Sequence, residues 1–190
     1  VADFGEVNTS EREINAMLDL VKQETERLDS RFLEPACGDG NFLIEVLNRK
    51  LDILVKKYKK NQYEFERNSV VVIGSIYGVD ILADNAQSAR DRLYTRFIEI
   101  YEKYFKKYSN ENLIESIKFI IDKNIIHGDA LTLKQVDSEN PVTFSEWVII
   151  NSKLKRRDFT FADLIAYAPF EEGTLFSDLG NEVHIPSPIK

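Results

Sequence analysis

Three apolar segments of this chain each run into a turn and close on an acid: "RFLEPACGDG", "SVVVIGSIYGVD" and "NIIHGD". Between them the apolar residues recur at helical spacing instead of alternating. Strands that alternate with helices build βαβ units, and such units place the strands side by side in a parallel sheet covered on both faces. That pattern excludes an all-helical bundle and an antiparallel sandwich, and it sets an α/β class.

Along the chain, Ser10 followed by Glu13 forms a capping-box signature, with Ile14, Met17, Leu18 and Val21 at helical spacing, which predicts a first helix over 10–26. "RFLEPA" reads as a short buried strand stopped by proline. After Gly40, the residues Leu43, Leu47, Leu51, Leu54 and Tyr58 share one helical face. "SVVVIGSIYGVDI" is rich in β-branched residues and reads as a second strand ending near Asp80. Helices follow over 84–108, with Ala89, Leu93, Phe97, Ile100 and Tyr104 on one side, and over 113–121 before the strand "NIIHGDAL". "PVTFSEWVII" reads as a fourth strand, "NSKLKRR" as a basic turn, and "DFTFADLIAY" as a strand or short helix. The last fifteen or so residues, with Gly180, Pro186 and Pro188, are expected to form an extended tail.

With 190 residues, 43% hydrophobic and 30% charged, the chain suits one domain with a sizeable core. No apolar run approaches the roughly 18–20 residues that cross a bilayer, and no signal-peptide pattern opens the chain, so a cytoplasmic protein without membrane contact is expected. Cys37 is the one cysteine, which excludes an internal disulfide and a cysteine-built metal centre. The first residue is Val1, as expected of a chain that has lost a few N-terminal residues or begins inside a longer product. A net charge of −7 disfavours stand-alone binding of nucleic acid, whose affinity rests on neutralising phosphates. Positive charge is local, at Lys56, Lys57, Lys59 and Lys60 and at Lys153, Lys155, Arg156 and Arg157, and each run reads more readily as a solvated face than as a binding site.

In parallel sheets, ligands sit beyond the carboxyl ends of the strands. Gly38 and Gly40 mark the first such end, where missing side chains let a ligand lie against the main chain, or where they only make a tight strand-to-helix turn. Asp80 ends the second strand, where a carboxylate can accept from both hydroxyls of a ribose. Asp129 ends the third, where it can accept from an exocyclic amine such as that of adenine; either acid also suits a loop or a helix cap. The dinucleotide fingerprint would need glycine at Leu43, so a pyrophosphate does not fit, and Glu34 favours a cationic or amine-bearing ligand. A nucleoside carrying a positive appendage answers all of these features, and S-adenosylmethionine is the common metabolite of that description.

With these residues in hand, the chain resembles the class I S-adenosylmethionine-dependent methyltransferases, specifically the adenine-N6 DNA methyltransferases of restriction-modification systems. "EPACGDGNFL" resembles their cofactor loop, "IYGVDILADNAQSARDRL" their second motif, and "NIIHGDAL" their third. "GEVNTSEREINAMLDLV" resembles the segment before the loop, with Asn8-Thr9-Ser10 in place of the usual Phe-Thr-Pro. The resemblance covers about residues 4 to 133. It implies a Rossmann-like, mostly parallel sheet in a single domain, with an N-terminal helical segment over 1–30, a cofactor-binding core over 31–133 and a divergent segment over 134–190, truncated or altered at the C-terminal end. It also implies that Thr9 holds the cofactor's carboxylate, and that Glu34, Pro35, Ala36, Gly38 and Gly40 surround its methionine part. By the same resemblance Asp80 binds the ribose with Ile81 on the adenine, and Asp129 binds the adenine amine with Ala130 beside it. Phe42 shields the sulfonium or packs as a core aromatic.

The chain departs from that family after the third strand. Those enzymes carry Asn/Asp-Pro-Pro-Tyr/Phe, whose acceptors bond the target amine and whose ring stacks on a flipped base. No such tetrapeptide occurs in this sequence; Asn151 in "VIINSKL" is the nearest catalytic candidate, and a hairpin turn accounts for it as well. His127 borders the third strand's exit, and His184 lies in the tail. Two functions are therefore expected. One is a methyltransferase that modifies DNA adenine, with a second protein subunit or an oligomer supplying the missing parts; the other is an inactive S-adenosylmethionine-binding partner of a modification system.

Overall fold

The computed structural model describes residues 9–150, 153–166 and, as backbone, 182–184. The capping box at Ser10 forms as expected: Ser10 Oγ accepts from the Glu13 amide at 3.4 Å, and the Glu13 carboxylate accepts from the Ser10 amide at 3.0 Å. The predicted first helix is divided. Helix α1 spans Glu11–Leu20, Val21 leaves helical geometry at φ −116°, and a single turn α2 follows at Lys22–Thr25.

Strand β1 (Phe32–Glu34) leads through the glycine turn into α3 (Asn41–Tyr58), whose Leu43, Leu47, Leu51 and Leu54 are buried as the spacing predicts. Helix α4 (Gln62–Gly74) overturns one expectation, because Ser69–Ile73 are helical and not part of a strand. The Asn61 side chain accepts from the Glu64 amide and starts the helix, while Phe65, Ser69 and Ile73 repeat every four residues on a buried face. Burial of that face outweighs the β-propensity of three consecutive valines. Strand β2 is thus confined to Ile76–Asp80, and all five residues are buried.

Helix α5 (Ala83–Phe105), a 3₁₀ turn at Lys106–Tyr108 and α6 (Glu111–Asn124) lead to β3 (Ile125–Asp129) and the short β4 (Lys134–Gln135). The strands form a mostly parallel four-stranded sheet in the order β1-β2-β3-β4, with only the β3–β4 pair antiparallel. The next segment departs from expectation. Strand β5 (Thr143–Ile150) does not join the parallel sheet but pairs antiparallel with β6 (Lys153–Thr160), so the basic run expected as a turn is a strand. Ile150 pairs with Lys153, and Asn151, which falls between them, lies outside the described residues. The short helix α7 (Phe161–Ala166) follows, and of the expected tail only β7 (Glu182–His184) is described, paired with β6.

Alternation along the strands sorts the two faces of the parallel sheet. Phe32, Ile76 and Ile125 enter the larger core with α3, α4, α5 and α6. Their neighbours Leu33, Tyr77, Val79 and Ile126 enter a second core with Val142, Phe144, Phe159 and Phe161. Helices therefore cover one face and the β5–β6 hairpin the other, with Tyr77 meeting Phe144 edge-on at 5.5 Å between ring centroids. Among the described residues no helix is long and apolar enough to cross a membrane.

Lys50 is fully buried in α3, beneath the starts of β1 and β2. Its Nζ donates to the carbonyls of Leu28 (3.2 Å) and Ser30 and to Ser75 Oγ (2.7 Å), and it lies 5.3 Å from the centre of the Phe32 ring. Burial pushes its pKa down to about 7, against the pull of Asp29 and Glu24. Lys50→Met keeps the volume but removes the three hydrogen bonds that Nζ donates, and it is expected to cost about 1–3 kcal/mol of stability in urea denaturation.

Candidate functional site

The site is built at the carboxyl ends of β1, β2 and β3. Beyond β1, the Cys37 amide donates to the Val79 carbonyl at 2.9 Å, which carries the parallel pairing into the turn. Gly38 (φ +53°) and Gly40 (φ +87°) then reverse the chain, and the Gly40 amide closes onto the Cys37 carbonyl at 2.8 Å. A Cβ on Gly40 would stand 3.0 Å from that of Ala89, so close helix packing fixes this glycine. A Cβ on Gly38 would meet nothing within 4 Å, so its open flank faces space that a ligand can enter.

Asp80 joins the turn to the second strand. Its Oδ2 accepts from the Gly38 amide at 2.8 Å, and its Oδ1 accepts from the Leu82 amide at 2.9 Å and Asn85 Nδ2 at 3.3 Å. Asp80 is only 7% exposed. The sequence placed Gly38 and Asp80 at neighbouring strand ends; the structure makes them direct partners. Glu34 lies opposite Gly78 in the β1–β2 register, on the same face as Asp80. Its Oε2 is buried without a hydrogen-bond partner, and burial, with the charge of Asp80 adding to it, pushes its pKa up to about 7. Cys37 packs beneath the turn, and burial drives its thiol to about 12, so it serves as an apolar filler and not as a nucleophile.

The other candidates are less closely joined. Asp129 holds its own loop, accepting from the Leu131 amide at 2.8 Å and Thr132 Oγ1 at 3.0 Å, and chiefly the Leu131 bond draws its carboxyl below the ordinary range. Ala130 packs against the second core, and Phe42 against the larger one. Pro35, Ala36 and Ile81 are exposed around the tips of the strands, Ile81 at 41%. Thr9 is exposed just ahead of the α1 cap.

Three further residues shape the site without having been singled out for these roles. Arg92 of α5 clamps the outer side of the turn, bonding the Asp39 carbonyl and carboxylate at 2.7 Å each and Asn41 Oδ1 at 2.9 Å. Asn85 braces Asp80, and His127 Nε2 donates to the Ile81 carbonyl at 3.1 Å, tying β3 to the tip of β2. Each contact joins residues more than forty positions apart except Asn85 to Asp80, a spacing of five that an acid followed by a helix start could have suggested.

Two expected outcomes follow from this geometry. Gly40→Ala combines positive φ with the Ala89 collision and should cost about 1–3 kcal/mol in chemical denaturation, more than Gly38→Ala, which meets only the φ penalty. Glu34 has a folded pKa raised above its unfolded value, so its contribution to stability is complete below the unfolded pKa and is lost as pH rises through about 7. Glu34→Gln should therefore melt above the parent protein at pH 8 and level with it at pH 4, as read by circular dichroism.

Comparison with known proteins agrees with this geometry. The family model described as "MmeI, DNA-methyltransferase domain" matches residues 7–147, which take in α1, the glycine turn, all three acid-tipped strands and most of β5. No curated protein and no solved structure matches the chain significantly. Since the matched span holds most of the chain and every element that shapes the turn, the protein belongs to the MmeI DNA-methyltransferase domain family, a restriction-modification type of methyltransferase.

Proposed function

We propose that the chain binds S-adenosylmethionine in a Rossmann-like sheet and serves the methylation of DNA adenine at N6, with a partner chain completing the catalytic centre. The observation that carries the reading is the Gly38–Asp80 hydrogen bond, which holds the open flank of the turn beside a buried acid. Family membership supports the same chemistry.

The residues present fit the cofactor. Gly38 offers main-chain surface without a side chain, Glu34 offers a buried oxygen with no partner, and Ile81 offers exposed apolar area. Asp80 retains about one acceptor position for a ribose hydroxyl besides the three given to N–H donors, since an ionised carboxylate has about four. In this arrangement Glu34 and Ala36 adjoin the methionine part, with Thr9 toward its carboxylate and Pro35 and Gly40 shaping the turn. Asp80 and Ile81 take the adenosine, with Asp129 and Ala130 at the adenine amine. Bound there, S-adenosylmethionine supplies a sulfonium methyl for a single inverting displacement by an amine nitrogen. The protein's contribution is to fix the methyl donor, and positioning of the two reactants provides much of the acceleration.

A partner is part of this reading for two reasons. The sequence has no Asn/Asp-Pro-Pro-aromatic acceptor set. In addition, β1 is an edge strand whose Phe32–Glu34 are only half-buried and which pairs with no strand on its outer side among the described residues. An unpaired parallel edge beside the turn suits a strand supplied by another chain. The missing tetrapeptide also favours a second reading, a protein that keeps the pocket and transfers nothing.

Calorimetry with S-adenosylmethionine, followed by labelled-methyl transfer to unmethylated DNA with and without candidate subunits, separates the two. Transfer that appears only with a subunit supports the first reading, and binding without transfer under every combination supports the second. Asp80→Ala should weaken cofactor binding about ten- to hundredfold, the equivalent of one charge-assisted hydrogen bond. Unchanged affinity would remove the ribose from this position.

A further inference from the structure

We infer that Glu34 exchanges a proton for the cationic end of the ligand, so that the pocket selects amine-bearing nucleosides and releases a proton as it fills. The inference rests on the adenosyl site proposed above and specifies how its methionine end is recognised.

The geometry separates two carboxylates that share one face of the sheet. Asp80 has both oxygens bonded to N–H donors, from Gly38, Leu82 and Asn85, so its charge is compensated and fixed. Glu34 has no such compensation: Oε2 is shielded and unpartnered, and among the described residues nothing cationic is bonded to it. The groups around it do not supply the missing charge. Cys37 presents a neutral thiol from the turn, and Asp80 on β2 presents a negative charge. On β3, His127 gives its Nε2 to the Ile81 carbonyl. On α5, Arg90 bonds the Ile125 carbonyl through Nε, and Arg92 is engaged with Asp39 on the outer side of the turn. Two like charges in a partly dry site cannot both persist cheaply, so the uncompensated member carries the proton.

A ligand ammonium reaching Glu34 reverses this balance. The carboxylic acid gives up its proton to solvent, the carboxylate pairs with the ammonium, and the site's net charge becomes compensated. With the Glu34 acid titrating at about 7, roughly half a proton leaves per ligand at pH 7 and nearly one at pH 6. The ionised fraction binds the amine more tightly than the neutral acid does, so affinity falls by up to about fivefold from pH 7 to pH 6. Selectivity arises in the same step, because a nucleoside without the amine gains nothing from ionising Glu34.

The test is calorimetry of the full chain with S-adenosylmethionine at pH 6 and pH 7, in phosphate and in an amine buffer of high ionisation enthalpy. Proton release appears as a buffer-dependent heat. The ligand's own amine titrates near pH 8, about the α-amino range, and the difference between the parent and Glu34→Gln isolates the protein's proton. We expect release in the parent, none in Glu34→Gln, and for that variant a flat affinity close to the parent's value at pH 6. Methylthioadenosine, which lacks the amino-acid end, should bind both proteins without proton release. S-adenosylmethionine binding with identical heats in both buffers, or equal release from Glu34→Gln, would overturn the exchange while leaving the pocket intact. No binding of either nucleoside would overturn the pocket and the exchange together.

Discussion

The carboxylate of Asp80 is the constraint on which the upper half of the molecule depends. It stands nearly buried at the end of a fully buried strand, and it accepts from one amide of the glycine turn and one amide at the head of α5. A buried charge is tolerated only where donors replace water, and here the donors belong to two different connections. Its burial therefore fixes the turn after β1, the start of the helix after β2, and their separation. Arg92 repeats the arrangement from outside, with a guanidinium on the turn's own carbonyl and acid. The turn is held on two sides, and its one open flank is at Gly38.

The lower end of the same sheet is held by the opposite charge. Lys50 gathers two carbonyls of the connection entering β1 and the hydroxyl that precedes β2, so strand starts and strand ends are each pinned by one buried ionisable group. Between them the three parallel strands present mainly apolar side chains, with Glu34 near the upper rim, the Tyr77 hydroxyl and His127, turned toward Ile81, as the polar groups. Polar groups collect where strands end because the ladder no longer satisfies the main chain there.

Much of this was legible in the sequence, and the exceptions have physical causes. The helix face of α3 read correctly because a repeat near four residues survives substitution among apolar types, whereas that of α5 read correctly only as far as Phe97: its buried face continues through Tyr101 and Phe105, leaving Ile100 half-buried and Tyr104 exposed, because aromatic residues at neighbouring positions suit either face. The strand ends at Asp80 and Asp129 read correctly because an acid after β-branched residues cannot continue a buried strand. Val70–Val72 misled because β-branched side chains are tolerated in a helix that buries most of its surface, Val70 and Val72 included, and the cap at Asn61 lies nine residues upstream of them. The hairpin turn offered for Asn151 agrees with the β5–β6 pairing, but the basic run after it was read as part of the turn, because alternating charged residues carry no apolar signal of a strand; Phe144 and Phe159 meeting Tyr77 seat the hairpin on the sheet. Arg92, the Asp80–Gly38 bond and the unpaired Glu34 oxygen could not be read, since each depends on residues brought together from distant positions.

The division of the sheet between a helical layer and a hairpin carries a consequence for how the chain is made. The helices that shelter Ile76 and Ile125 are complete by Asn124, whereas the core around Tyr77 and Val79 is completed only later in the chain, by Val142, Phe144, Phe159 and Phe161. During synthesis, one side of the nascent sheet must remain bare while more than thirty further residues leave the ribosome. In that interval its aromatic and aliphatic surface is open to chaperones and to neighbouring nascent chains. Late sealing by a distant ribbon makes the order of translation itself a condition of clean assembly.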